Sequence, residues 1–107
     1  MTVNILGTDY KIIVSDDSKD VKLKSLSGYC DDTSHKIVVS DIEYDELSKE
    51  NLTVWQKKVI RHEIVHAFLS ESGLANNSDW ANNEEMIDWI AMQGLKLYDA
   101  WKKANAV

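Results

Sequence analysis

The hydrophobic pattern of this chain changes period near residue 52. Before that point, short runs rich in β-branched and aromatic residues alternate with polar clusters, the signature of strands and turns. Thr2 to Leu6 and Tyr10 to Ser15 read as two strands, and Gly7-Thr8-Asp9 between them is a hairpin signal. Ser15 to Asp20 is a polar loop. Val21 to Leu26 alternates in a way that fits either a strand or a short helical turn. Ser27 to Asp31 and His35 to Ser40 form an expected second hairpin around Asp32-Thr33-Ser34, with Ile37-Val38-Val39 as its β-branched centre. Asp41 to Asn51 is charged and reads as a turn or a short helix.

From Thr53 onward the spacing becomes helical. Thr53 and Gln56 make a capping box, and apolar residues follow at Trp55, Val59, Ile60, Ile64, Phe68 and Leu69. This helix is expected to stop near Ser72, with Gly73 as its C-terminal signal. Asn76-Asn77-Ser78 is a polar connection. A second helix begins between Ser78 and Asn83 and runs to about Asn105. Gly94 inside it costs about 1 kcal/mol relative to alanine, which implies a close approach by something at that point. Strands first and helices second make an α+β domain over residues 1–107: an N-terminal antiparallel β-sheet of two hairpins, then two helices.

Composition narrows the picture. At 107 residues and 44% hydrophobic, the chain suits one globular core rather than a disordered segment. The single cysteine, Cys30, leaves no internal disulfide, and the first residues lack a basic region followed by an apolar stretch. Both point to a cytoplasmic location. Cys30 reads as a packing residue, since no partner histidine is evident. No apolar run is long enough for a membrane. The formal net charge is −6 and the lysines form no basic run, so nucleic acid is not an expected ligand.

The candidate chemistry lies in the first helix. His62-Glu63-Ile64-Val65-His66 reads H-E-x-x-H. Histidines four apart on a helix stand about 40° apart around its axis, so both imidazoles face one side and can grip one Zn2+. Glu63 is then placed as general base toward a water at that metal. A hydrolytic zinc site takes three protein ligands. No histidine follows His66, and the metzincin continuation is absent, because Leu69 and Ser72 stand where Gly and His would be needed. The third ligand is therefore expected to be an acid. Glu84 and Asp88 share a face of the second helix with Ile87, Ala91, Leu95 and Tyr98, a stripe that reads as buried. Acids on a buried stripe need a cation or donor beside them. Glu84 is the expected ligand and Asp88 the acceptor for the far ring nitrogen of His62. Glu85, on another face, is the fallback ligand. His35, Tyr29, Tyr44 and Tyr98 are candidates for stabilising a transition state, and spacing distinguishes none of them.

H-E-x-x-H followed on the next helix by Asn83-Glu84-Glu85-Met86-Ile87-Asp88 resembles the gluzincin arrangement of zinc peptidases. The small size and strand-rich first half resemble the ImmA/IrrE-like metallopeptidases of phages and mobile elements. The specific resemblance covers about positions 59 to 91. It implies a minimal zincin-like fold, with His62, His66 and Glu84 as zinc ligands, Glu63 as base, Asp88 behind a zinc histidine, and a peptide or protein as substrate. It also implies that an extended substrate adds to an edge strand, for which His35 to Ser40 is the candidate. No helix-turn-helix accompanies the motif, which argues against a repressor-cleaving role.

Two other classes remain open at this stage. The chain could hold zinc as a protein-binding module without proteolytic activity; Glu63 argues against this, because a structural site has no need of that carboxylate. Alternatively no metal binds, and the helices are a plain packed pair with Trp55, Phe68, Trp80, Trp89 and Trp101 in or near the core. The aromatic positions are expected there on either reading.

Overall fold

A computed structural model describes residues 1–41 and 52–107. Residues 42–51, which contain most of the expected turn or short helix and Tyr44, lie outside the described residues. The chain is α+β, with four strands followed by two long helices.

Strand β1 (Thr2–Ile5) pairs antiparallel with β2 (Thr8–Ser15), placing Val3 opposite Tyr10. Their turn is Leu6-Gly7, earlier than the expected Gly7-Thr8-Asp9. Both residues have positive φ, 51° and 95°, as a two-residue hairpin turn matched to strand twist requires. Gly7 adopts this without strain. Asn4 closes the turn, accepting from the Gly7 N–H at 3.0 Å and donating to Asp9 at 2.9 Å. Val21–Lys24 is a 3-10 turn rather than a strand; Asp20 caps it through the Lys22 N–H, and Leu23 is buried beneath it. Strand β3 (Gly28–Asp31) and strand β4 (Lys36–Ser40) form the second antiparallel hairpin. Its loop is shaped by the Asp31 carboxylate, which accepts from the Thr33 and Ser34 backbone N–H groups.

The two hairpins join through β2 and β4, which run parallel with Ile12 beside Ile37 and Val14 beside Val39. The sheet order is β1-β2-β4-β3, so the sheet is mixed rather than wholly antiparallel. Alternation along a strand has the same period in either orientation, so the pattern could not decide this pairing. It also corrects the expected edge. The His35 to Ser40 strand is interior, hydrogen-bonded on both sides, and the edges of the sheet are β1 and β3.

Helix α1 (Leu52–Glu71) lies across one face of this sheet. Val59, Ile60, Ile64 and Ala67 pack against Ile5, Tyr10, Ile37 and Val39, and this is the core. The helix is described from Leu52, so Thr53 lies within it rather than at its cap. Its C-terminal stop is as expected: Gly73 takes φ 85°. The Tyr10 hydroxyl, fully buried at the ring, donates to Glu71 at 2.7 Å, and the Thr8 hydroxyl donates to the same carboxylate at 3.1 Å. These bonds tie the end of α1 to β2. Two 3-10 turns, Leu74–Asn76 and Asp79–Asn82, lead to helix α2 (Glu84–Lys103). Asn83 caps it, accepting from the Met86 N–H at 2.8 Å.

Helix α2 packs chiefly on α1. Ile87 and Ala91 are buried, and Arg61 donates to the Ala91 carbonyl at 2.7 Å. Beyond Ala91 the expected burial fails. Leu95 is 66% exposed and Tyr98 49%. The aromatic positions expected in the core are also at the surface: Phe68, Trp80, Trp89 and Trp101 are exposed, and Trp55 is half-buried. A 20-residue helix is about 30 Å long. Its first half covers α1, and the apolar stripe continues past what α1 reaches.

Candidate metal centre

The site is built where α1 and the first turns of α2 meet. His62 and His66 lie one turn apart, with ring centroids separated by 5.0 Å. Glu84 stands at the first position of α2, fixed there by the Asn83 cap. One of its carboxylate oxygens lies 2.9 Å from His62 Nε2 and the other 3.0 Å from His66 Nε2. The two imidazoles and this carboxylate thus converge on one spot. Glu85 is exposed on a neighbouring face and does not share in this convergence.

The donor set fits zinc. Two ligand atoms each about 2.0–2.1 Å from a tetrahedral zinc stand on the order of 3.3 Å apart. The observed separations of 2.9 and 3.0 Å are a few tenths short of that. Ligand atoms of His62, Glu63 and His66 also all lie within 4.8 Å of one another.

Behind His62, Asp88 Oδ1 lies 3.2 Å from Nδ1. This contact leaves Nε2 directed at Glu84. The same Asp88 oxygen receives the Lys58 ammonium at 3.2 Å. Burial pushes the Asp88 carboxyl up, but the hydrogen bonds from Lys58 and His62 outweigh it and hold the group below its ordinary range. Lys58 was not singled out in the sequence. Its signal was available: it stands one helical turn before His62, so it shares that face of α1.

Glu63 is only 6% exposed, and its carboxylate lies within 4.8 Å of ligand atoms of both imidazoles. Burial pushes its carboxyl up; the two imidazoles pull it down, Glu84 adds to the push, and the net direction is upward. A carboxylate raised from its ordinary value holds a proton more readily, which general acid–base work requires. Across from it, Cys30 is pushed up to about 12, first by burial and then by the Glu63 charge. Cys30 is therefore a thiol, consistent with packing rather than nucleophilic attack.

A groove of about 420 Å³ opens beside His62, Glu63 and Glu84. Leu26, Trp55 and Val59 give it an apolar wall, and Gly28 and Tyr29 bring strand β3 to its rim. Gly28 is there by necessity. A Cβ at this position would stand 2.8 Å from both the Val38 carbonyl oxygen and Val59 Cγ1. The Ser40 N–H donates to the Ser27 carbonyl at 2.8 Å, which sets the phase of the ladder. Gly28 and Cys30 consequently turn their backbone N–H and C=O groups away from β4, toward the open edge.

Of the candidates for a transition-state donor, Tyr29 lies at the groove rim, but its hydroxyl donates to Asp20; the next two are placed elsewhere. His35 sits beside Glu71, near the far end of α1. Tyr98 is on the exposed half of α2. No helix among the described residues is long and apolar enough to cross a membrane. Comparison with protein-family models, curated proteins and solved structures found no match to this chain.

Proposed function

We propose that this chain is a zinc-dependent metallopeptidase. The observation that carries the reading is the single carboxylate, Glu84, meeting both imidazoles of His62-Glu63-Ile64-Val65-His66 while Asp88 backs His62. His62, His66 and Glu84 would hold Zn2+. When bound, zinc supplies Lewis acidity, which polarises a carbonyl and lowers the pKa of a water.

The remaining steps belong to the chain's own residues. Glu63 takes the proton of the attacking water and delivers it to the leaving amine. Its position supports the role, because the buried carboxylate is held within 4.8 Å of ligand atoms of both imidazoles. Asp88, anchored by Lys58, orients His62. The outward-facing backbone of Gly28 and Cys30 offers an extended peptide a strand to pair with, so β3 replaces His35 to Ser40 as the substrate edge. The apolar wall of the groove would take a side chain of that peptide. The phage or mobile-element origin implied by the resemblance remains part of this proposal.

Zinc content and hydrolysis of a broad peptide library, measured for the wild type and Glu63→Gln, test the reading. We expect both proteins to bind one zinc and only the wild type to cleave. Absence of zinc uptake by the wild type ends the metal assignment. Zinc uptake with no difference in cleavage between the two proteins leaves a zinc-containing protein-binding module instead.

A further inference from the structure

The second half of α2 is an apolar surface that the chain itself leaves uncovered. Ile87, Ile90, Ala91, Gly94, Leu97, Tyr98 and Trp101 recur at the three- and four-residue spacing of one helix face. The first three pack toward the body, whereas Leu97, Tyr98 and Trp101 are 37%, 49% and 50% exposed. Leu95 beside them is exposed as well. The radius of gyration, 15.0 Å, exceeds the roughly 13 Å of a compact chain of this length. An isolated stretch of helix gains little stability without packing.

Gly94 lies at the start of this uncovered face. Nothing stands within 4 Å of a Cβ built on it. Glycine in a helix interior costs about 1 kcal/mol, and no contact within the chain requires it here. The open space beside Gly94 leaves room for a side chain arriving from outside.

We infer that this face pairs with a second copy of the chain, the two α2 helices running antiparallel about a two-fold axis near Leu97 and Tyr98. The stripe complements itself in that arrangement. Residues equidistant from the axis face each other, so Trp101 of one copy falls on the Gly94 notch of the other, and Tyr98 lies against Leu97. Large meets small at both ends, and the opposed helix dipoles attract. The exposed area of Leu97, Tyr98 and Trp101 is on the order of 300 Å² per copy, less than the ~800 Å² per partner of a stable interface, which fits a weak dimer that forms only at high concentration.

Sedimentation velocity of the full chain over a concentration series up to about 100 μM tests this. We expect a dimer that dissociates on dilution. Trp101→Ala and Gly94→Leu should each raise the dissociation constant at least about tenfold. Gly94→Leu keeps the fold, since leucine favours helix and has open space in the single chain; unchanged helicity by circular dichroism confirms that the loss is at the interface. A wild type that stays monomeric throughout overturns the inference, as does a dimer indifferent to both substitutions. A monomer that co-sediments with phosphatidylserine vesicles assigns the face to a membrane surface and overturns it equally.

Discussion

Gly28→Ala probes the joint between strand β3 and helix α1, on which the groove depends. The added methyl would meet the Val38 carbonyl oxygen and Val59 Cγ1, both at 2.8 Å. Ordinary carbon contacts lie near 3.5–4.0 Å, so about 1 Å of separation has to be found. The Val59 side chain can give by a rotamer change. The Val38 carbonyl cannot, because it belongs to the interior strand and is held in the ladder. Relief therefore comes from moving β3 outward, at the over-packing cost of about 1–3 kcal/mol. For a domain of this size each kcal/mol lowers Tm by about 4–8 °C, giving an expected drop of roughly 5–20 °C. Thermal unfolding by circular dichroism measures it. Val59→Ala added to Gly28→Ala should recover only part of the loss, since the carbonyl clash remains. A Tm for Gly28→Ala within about 2 °C of wild type would refute the reasoning and show that β3 slides freely over α1.

Asp88→Ala should weaken zinc binding by about 10- to 100-fold, because His62 loses the acceptor at Nδ1; competition with a chelator of known affinity reads this, and unchanged affinity removes Asp88 from the site. Acid should expose the tie at the end of α1. The hydrogen bond from Tyr10 holds Glu71 below its ordinary range against the upward push of burial, with Thr8 and His35 adding to the lowering. A folded-state pKa below the unfolded value stabilises at neutral pH, and that contribution is lost as pH falls through the folded value. The stability gap between wild type and Tyr10→Phe should accordingly narrow from about pH 7 to about pH 3, as read by urea midpoints. A gap that does not change with pH contradicts the assignment.

The H-E-x-x-H helix, both hairpins, the Gly73 stop and the start of α2 were legible in the sequence because each depends on residues close along the chain. Helical period, caps and turn residues act within a few positions, so a linear pattern carries them. The choice of Glu84 over Glu85 was legible only as a preference, since helix register read from pattern is soft; the position of α2 against α1 put one carboxylate at both imidazoles. Lys58 entered the site only when Asp88, distant in sequence, was brought to it. Exposure of Trp89, Tyr98 and Trp101 was misread for a related reason. Periodicity tells which face of a helix is apolar and says nothing of whether another element lies against it.

What the sequence by itself determined, then, was local: the strands and helices, and the spacing that puts two imidazoles on one side of α1. Tertiary structure alone decided the parallel pairing of β2 with β4, and with it which strand forms the open edge beside the groove. Strand pairing joins residues far apart in the chain through backbone groups that every residue carries, so side-chain pattern leaves the partner and its direction undetermined.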